Sequence, residues 1–476
     1  VSRALLPHID RRSFIKLSAV ASLTLLVGCG SDDSPTDNTT NQKLLPIPEL
    51  LQPDIIGNVK HYNLTIKESK HQFFDEAKTD TYAINGTYLA PTIKVIDGDE
   101  VSINFKNSLN EATTMHGHGM HVPAKMDGTP HQVIEPDKSW SARYRVKQKA
   151  ATNWYHPHFM GKTADHVYKG LAGFIVVEDE ESRALDLPDR YGIDDIPLVL
   201  QDRRFVNSQF DYTPTMQEVM RGYIGDTFIV NGAIKPTFEA EAKEIRFRLL
   251  NGSNSTVYEL GFSDNRSFNQ IATDNALLES PVALNRVTLS PGERAEIVVD
   301  FSGDLGKSVD LYEYKNSKTF LQIDIKKQAT ATTSLPNKLT SLVKLNPLNS
   351  ATSRTFTLSG RMGSFQINGK SMDIDRIDEV VPLNAIEIWE VKNSMMVDHN
   401  FHIHATHFMI IERNGNSAGV AANERGYKDT VYIKGGESVK FIVKMVDYTD
   451  TKIPYMYHCH FLEHEDRGMM GQFVVT

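Results

Sequence analysis

Segments that alternate between apolar and polar side chains recur along the chain and set its architecture. Thr92-Ile93-Lys94-Val95-Ile96, Glu244-Ile245-Arg246-Phe247-Arg248 and Ala385-Ile386-Glu387-Ile388-Trp389 each repeat with a period of two, the mark of a strand with one face in a core. Each follows a shared tripeptide, Ile84-Asn85-Gly86, Val230-Asn231-Gly232 or Ile367-Asn368-Gly369, and the three copies lie about 140 residues apart. Each copy then reaches an Asn beside a small residue: Asn107-Ser108, Asn251-Gly252 and Asn393-Ser394. Gly, Asn, Asp and Pro between the alternating runs supply the turns. Several short strands per copy predict an all-β chain of three β-sandwiches. Their expected spans are 46–180, 190–328 and 350–476, and the Thr/Ser/Asn-rich stretch 329–353 connects the last two.

The N-terminus departs from this pattern. Asp10-Arg11-Arg12-Ser13-Phe14-Ile15-Lys16 leads into an apolar run over residues 17–27. That run is about 11 residues, where a spanning helix needs about 20, so it reads as the core of an export signal. Paired arginines ahead of it are the twin-arginine signature. Leu26-Val27-Gly28-Cys29 resembles the lipobox of bacterial lipoproteins, which implies cleavage of residues 1–28 and lipidation of Cys29. Residues 29–45 then form a polar tether. The expectation is a protein of the periplasm or cell envelope, held to a membrane through Cys29.

Composition narrows the function classes. The 476 residues carry a net charge of −9, which gives no basic footprint for nucleic acid. Losing residues 1–28 would take that charge to −12. Two Cys exclude a disulfide scaffold, and with Cys29 lipidated Cys459 would be the lone thiol, which needs a reason in an oxidising compartment.

The histidines supply that reason. Fourteen of the 17 His fall in the windows 116–131, 156–166, 399–407 and 458–464, and none lies between His166 and His399. The chemistry therefore belongs to the first and third repeats, and the middle repeat is expected to be a spacer or structural domain. Four His-x-His pairs stand out: His116/His118, His156/His158, His402/His404 and His458/His460. On a strand, residues i and i+2 point to one face, so each pair aims two imidazoles the same way. Eight such rings without a carboxylate suit copper and exceed what one zinc needs. Cys459, His464 and Met469 follow the spacing Cys-x4-His-x4-Met, and with His399 they make the two-His, one-Cys, weak-Met set of a blue copper site.

These motifs together resemble those of three-domain multicopper oxidases, on the branch of bacterial laccase-like enzymes, bilirubin oxidases and cuprous oxidases. The resemblance runs over essentially the whole chain after the leader. It implies three cupredoxin-like Greek-key β-sandwiches and four copper ions. His399, Cys459, His464 and Met469 match the ligands of a type 1 copper, and His116 and His402 those of a type 2 copper. His118, His156, His158, His404, His458 and His460 match the ligands of a type 3 pair. Asp127 and Glu465 match acids that supply protons to oxygen. Two positions depart from the family: Gly117 replaces a usual Trp and predicts looser packing, and Asn400 replaces a usual Pro.

The implied activity is one-electron oxidation of a phenol, an aromatic amine or a metal ion, coupled to four-electron reduction of O2 to water. Cuprous oxidation remains an alternative, although the 326–356 stretch lacks the Met-rich insert of cuprous oxidases. A copper-binding or scaffold relative without turnover is the other. A monomer is expected. His121, His131, His166 and His407 fill no ligand position and are expected beside the metals or at the surface; Met395 and Met396 precede the type 1 His.

Overall fold

Six large β-sheets, in three consecutive pairs, make up the fold. They are seen in a computed structural model that describes residues 43–476 apart from 332 and 362. The expected export signal, Cys29 and most of the tether lie outside the described residues. In the first pair, Val59–His71, Glu100–Asn107 and Ser139–Arg145 form one sheet with Asp54–Ile56 and Thr79–Ile84. Ile93–Ile96, His116–His118, Ala151–His156 and Gly173–Glu178 form the other. The second pair has seven and five strands, the third five and five. No helix among the described residues is long and apolar enough to cross a membrane.

The three pairs repeat one topology. Val59–His71 runs parallel to Glu100–Asn107, as Asp195–Arg203 does to Glu244–Asn251 and Thr352–Arg361 to Ile386–Asn393. A second parallel contact closes each sandwich: Ile93–Ile96 with Gly173–Glu178, Thr237–Ala242 with Lys318–Gln328, and Glu379–Val381 with Met470–Val475. Parallel neighbours cannot be joined by a hairpin, so the chain crosses between sheets, as a Greek key requires.

The repeated asparagines explain why this topology recurs. Asn85, Asn231 and Asn368 adopt left-handed φ values of 61°, 50° and 54°, which Asn tolerates better than other side chains. From there each side chain accepts a backbone N–H of its sandwich's first long strand, at Thr65, Val199 and Thr357. The second asparagines, Asn107, Asn251 and Asn393, are buried and stitch the following loop in place. Asn251 Nδ2 donates to the carbonyls of Thr256 and Leu289, each at 2.8 Å, and its Oδ1 accepts the Ser253 N–H at 3.0 Å.

One boundary differs from the sequence reading, and two further features lay outside it. The tether was expected to reach residue 45, but Leu45 is buried in the second sandwich's core and its N–H meets the Thr237 carbonyl at 2.8 Å. An apolar side chain with a cavity to fill outweighs the polar residues before it. The connector is docked: Leu339 packs with Leu187 and Ile271, and Leu342 with Tyr427. Strand Asp195–Arg203 is buried at all nine positions, because Leu198 faces its own core while Val199 packs with Trp154 and Phe174 of the first sandwich.

Asn251→Ala would remove the partner of the Leu289 carbonyl and of the Ser253 N–H in the core, and leave the Thr256 carbonyl with Ser253 Oγ alone. At roughly 1–3 kcal/mol for an unsatisfied buried group, the expected loss is about 2–4 kcal/mol. The measurement is the denaturant midpoint, and a wild-type midpoint would contradict the role given to this side chain.

Candidate metal centre

Four short segments of the first and third sandwiches meet at their rims. His116–His118 lies antiparallel to Ala151–His156, with His116 opposite His156. In the third sandwich His399–Ile403 pairs with Asp450–His458, with His402 opposite His458. Only the first His-x-His pair lies wholly on one strand. His158, His404 and His460 fall just beyond strand ends, so the same-face argument holds for His116/His118 alone. The rim position is the physical reason: the segments must leave their own sheets to face each other. His118 stacks on His402 with ring centroids 3.7 Å apart, and His116 on His404 at 4.0 Å.

All eight rings are buried, and in several of them hydrogen bonds sort one ring nitrogen from the other. Nδ1 of His404 donates to Asp127 Oδ2 at 2.7 Å, and Nδ1 of His458 to the Cys459 carbonyl at 3.1 Å. Their Nε2 lone pairs then face each other at 3.2 Å, and His158 Nε2 lies 3.2 Å from that of His458. Lone pairs at this spacing repel unless a cation sits among them. A second triad of donor atoms comes from His118, His156 and His460, all within 4.8 Å of one another. His116 and His402 give their Nδ1 protons to the carbonyls of Asp127 and Asp429, at 2.7 and 2.9 Å, which leaves each Nε2 without a partner. Burial holds the pKa of His118, His156, His158, His404 and His460 well below 6.5 and that of His402 at about 4. Neutral rings with orphaned, converging nitrogens are what a metal centre requires.

The sulfur set lies on the far side of the His-Cys-His segment. Cys459 Sγ is 3.5 Å from His399 Nδ1 and 3.7 Å from His464 Nδ1, and those two nitrogens are 3.0 Å apart. Burial pushes the thiol up to about 12, against backbone hydrogen bonds from Asn400 and Phe461. Met469 is fully buried in the same core, and its carbonyl accepts the Cys459 N–H at 3.0 Å. Phe365 stacks on His464 at 4.1 Å. His399 Nε2 points the other way and meets Met395 Sδ at 3.2 Å.

Both sequence-selected acids reach the histidine cluster. Asp127 and Glu465 are fully buried, so neither is a solvated surface residue. Asp127 touches His404 and His116; Glu465 lies 3.4 Å from His158 Nδ1 and 3.2 Å from His458 Nδ1. Asp127 Oδ1 and both Glu465 oxygens have no hydrogen-bond partner within the protein.

Models of the multicopper oxidase family match residues 65–182 and 342–476. The chain is 38% identical over 421 residues to the multicopper oxidase mco of Staphylococcus haemolyticus, covering 88% of this chain and 89% of that protein. It is 36% identical over 483 residues to the cell division protein FtsP of Xenorhabdus nematophila, covering 98% and 99%. Among solved structures, the laccase of Pediococcus acidilactici superposes with a TM-score of 0.85 at 34% identity, over 91% of this chain and 94% of that one. The laccase-like multicopper oxidase CueO of Ochrobactrum gives 0.85 at 35% identity, over 91% and 100%.

The chain belongs to the multicopper oxidase family.

Family membership makes copper the metal these donors fit. In this multicopper oxidase Gly117 leaves no looseness: a Cβ there would lie 3.2 Å from Met120, whose buried side chain occupies the space. His121 donates to the Ala405 carbonyl at 2.6 Å, His131 bonds Gln472, His166 bonds Thr113, and His407 stacks on Tyr427. None of the four joins the donor triads described above.

The sequence reading missed the contribution of the middle sandwich. Arg294, fully buried, donates to both oxygens of Asp429 at 2.8 and 2.7 Å and lies 3.3 Å from His118 Nδ1. Burial opposes ionisation of Asp429, and Arg294 overrides it, holding the carboxyl well below its usual range. Lys428 pairs with Asp274 and Glu293 at 3.0 and 3.1 Å beside it. Single charges with no distinctive spacing carry no signal in one sequence.

The metal-free protein should be acid-sensitive in a defined window. His399 and His402 have folded pKa values of about 4 against 6.5 for a free His, both through burial. Below 6.5 the unfolded chain takes up protons that the fold refuses. Stability is therefore full above pH 6.5 and falls progressively as pH drops to about 4. Copper competes with those protons and should carry the loaded protein to lower pH. Melting temperatures of both forms between pH 8 and 4 check this; a flat metal-free profile would contradict it.

Proposed function

We propose that this multicopper oxidase is laccase-like, coupling one-electron oxidation of phenols, aromatic amines or metal ions to reduction of O2 to water. The observation that carries the reading is the segment His458-Cys459-His460, which joins the sulfur set to both type 3 triads through two peptide bonds. His399, Cys459, His464 and Met469 would hold a type 1 copper, and His116 and His402 a type 2 copper. His118, His156 and His460 would hold one type 3 ion, and His158, His404 and His458 the other. Copper bound there supplies single-electron uptake at the sulfur and four-electron reduction of O2 at the histidine cluster.

The chain's own part is orientation and proton supply. Nδ1 contacts to Asp127, Asp429 and backbone carbonyls fix which nitrogen His116, His402, His404 and His458 present. Reducing one O2 to water consumes four protons, and Asp127 and Glu465 are the buried acids in reach, each with unpartnered oxygen to hold one. Substrate electrons enter at the His399 edge, where Met395 lies against the ring and Met396 beside it is 93% exposed.

The two thioethers also favour a second reading, oxidation of Cu(I), since soft sulfur suits that ion. Similarity to cell division protein FtsP supports a third, a scaffold without turnover; the full set of buried, converging histidines argues against it. Arg11-Arg12, the short apolar run and Leu26-Val27-Gly28-Cys29 support export to the periplasm or cell envelope with a lipid anchor.

Oxygen uptake by the copper-loaded protein, with phenols, Cu(I), Fe(II) and Mn(II) compared side by side, tests these readings. A phenolic donor should drive uptake, and Cys459→Ser should abolish both uptake and the blue thiolate-to-copper absorption. A Cu(I) rate tenfold above the phenols selects the second reading, and no uptake with any donor selects the third.

Asp127→Asn and Glu465→Gln should keep full copper and the blue colour, yet slow reoxidation by O2 roughly 100-fold or more. Their pH–rate profiles should shift, while reduction of the type 1 site by substrate stays unchanged. Wild-type reoxidation across the pH range would return both acids to a structural role.

A further inference from the structure

Asn400, where a Pro was expected from the family pattern, has no apolar role in the core. Its side chain is fully buried and uses both ends of the amide. Oδ1 accepts the His460 N–H at 2.6 Å and lies 3.7 Å from Cys459 Sγ. Nδ2 donates to Ser290 Oγ at 3.0 Å and to the Pro291 carbonyl at 2.8 Å, both in the middle sandwich.

The contact continues outward. Ser290 Oγ donates to Glu293 Oε2 at 2.8 Å, and Glu293 Oε1 meets Lys428 Nζ at 3.1 Å. Asn400, Ser290, Glu293 and Lys428 are all buried, so the chain of contacts is shielded from solvent and strengthened by it. On the same loop, Gly292 lies so close to His460 that a Cβ would stand 3.1 Å from the ring.

We propose that Asn400 is a positioning residue that fixes the Cys459–His460 link against the middle sandwich and raises the reduction potential of the type 1 site. The proposal rests on the type 1 assignment made above.

Two physical effects combine. A backbone N–H aimed at the Cys459 sulfur stabilises negative charge there and weakens its donation to copper. The reduced ion is favoured, and the potential rises. Proline has no N–H and cannot contribute this bond. The amide side chain acts on geometry instead: it accepts the His460 backbone N–H, which would otherwise point into the core unpaired. The peptide segment through which electrons leave the sulfur is thereby held in one position. Both effects are absent with Pro and only the second is absent with Ala, so the two substitutions separate them.

Copper-loaded wild type, Asn400→Ala, Asn400→Pro and Ser290→Ala are compared, with copper content measured first. The readouts are the type 1 potential from redox titration and the rate of electron transfer to the trinuclear cluster after rapid reduction of the type 1 site. Asn400→Pro should have a lower potential than Asn400→Ala at equal copper content. Asn400→Ala should slow the internal transfer roughly 10-fold, and Ser290→Ala should slow it in the same direction. Should the Pro variant fail to load, the transfer rates of the two Ala variants decide. Equal potentials in the Pro and Ala variants, or wild-type transfer in both Ala variants, overturn the proposal. A wild-type protein that binds copper without a thiolate absorption band overturns the type 1 assignment itself, a separate and distinguishable failure.

Discussion

Neutral imidazole lone pairs turned inward upon one another are the constraint on which the rest of this structure depends. Such an arrangement repels itself in a low-dielectric interior, and no hydrophobic packing removes that repulsion. The fold makes it tolerable by giving outward-facing nitrogens strong acceptors, in Asp127, Asp429 and the carbonyls of Pro157 and Cys459. The inward nitrogens are left for metal. The stacked pairs His118/His402 and His116/His404 then dictate that two sandwiches, far apart in sequence, meet rim to rim.

The middle sandwich adds no histidine to the cluster, yet the centre leans on it from several sides. Arg294 neutralises Asp429 behind His402, Ser290 holds Asn400 behind the sulfur, and Asn254 and Ser255 bind Glu463 next to His464. A buried charge that loses its partner destabilises a fold strongly, so such contacts tie domain arrangement to ligand geometry. A spacer would need none of them.

Much of this was legible in the sequence because it was periodic or repeated. The alternating runs and the threefold asparagines identified the sandwiches, and the His-x-His spacing picked out the histidines that the structure brings together. Asp127 could be read from its place after the first motif, and Glu465 from its place after His464. Other features carried no periodic signal. Asn400 registered only as a departure from a family pattern, and its four contacts depend on residues about 60 and 110 positions away. Met120 filling the space above Gly117, and Leu45 entering a neighbouring core, are matters of volume that a linear pattern does not encode. The wholly buried strand Asp195–Arg203 shows the same limit: its second face is covered by another domain, which alternation cannot anticipate.

The rim-to-rim cluster also orders events in the life of the chain. Ribosomes deliver the first sandwich well before the last, and domains tend to fold as they emerge. At that stage only His116, His118, His156 and His158 exist, in two pairs on adjoining segments. Their partners His402, His404, His458 and His460 arrive about 250 to 300 residues later, after the middle sandwich and its docked connector. Half a cluster is an open, low-denticity site with no claim on one particular metal. Selective capture therefore belongs to the finished polypeptide, and a truncated or nicked chain is left as an unselective binder rather than a slower enzyme.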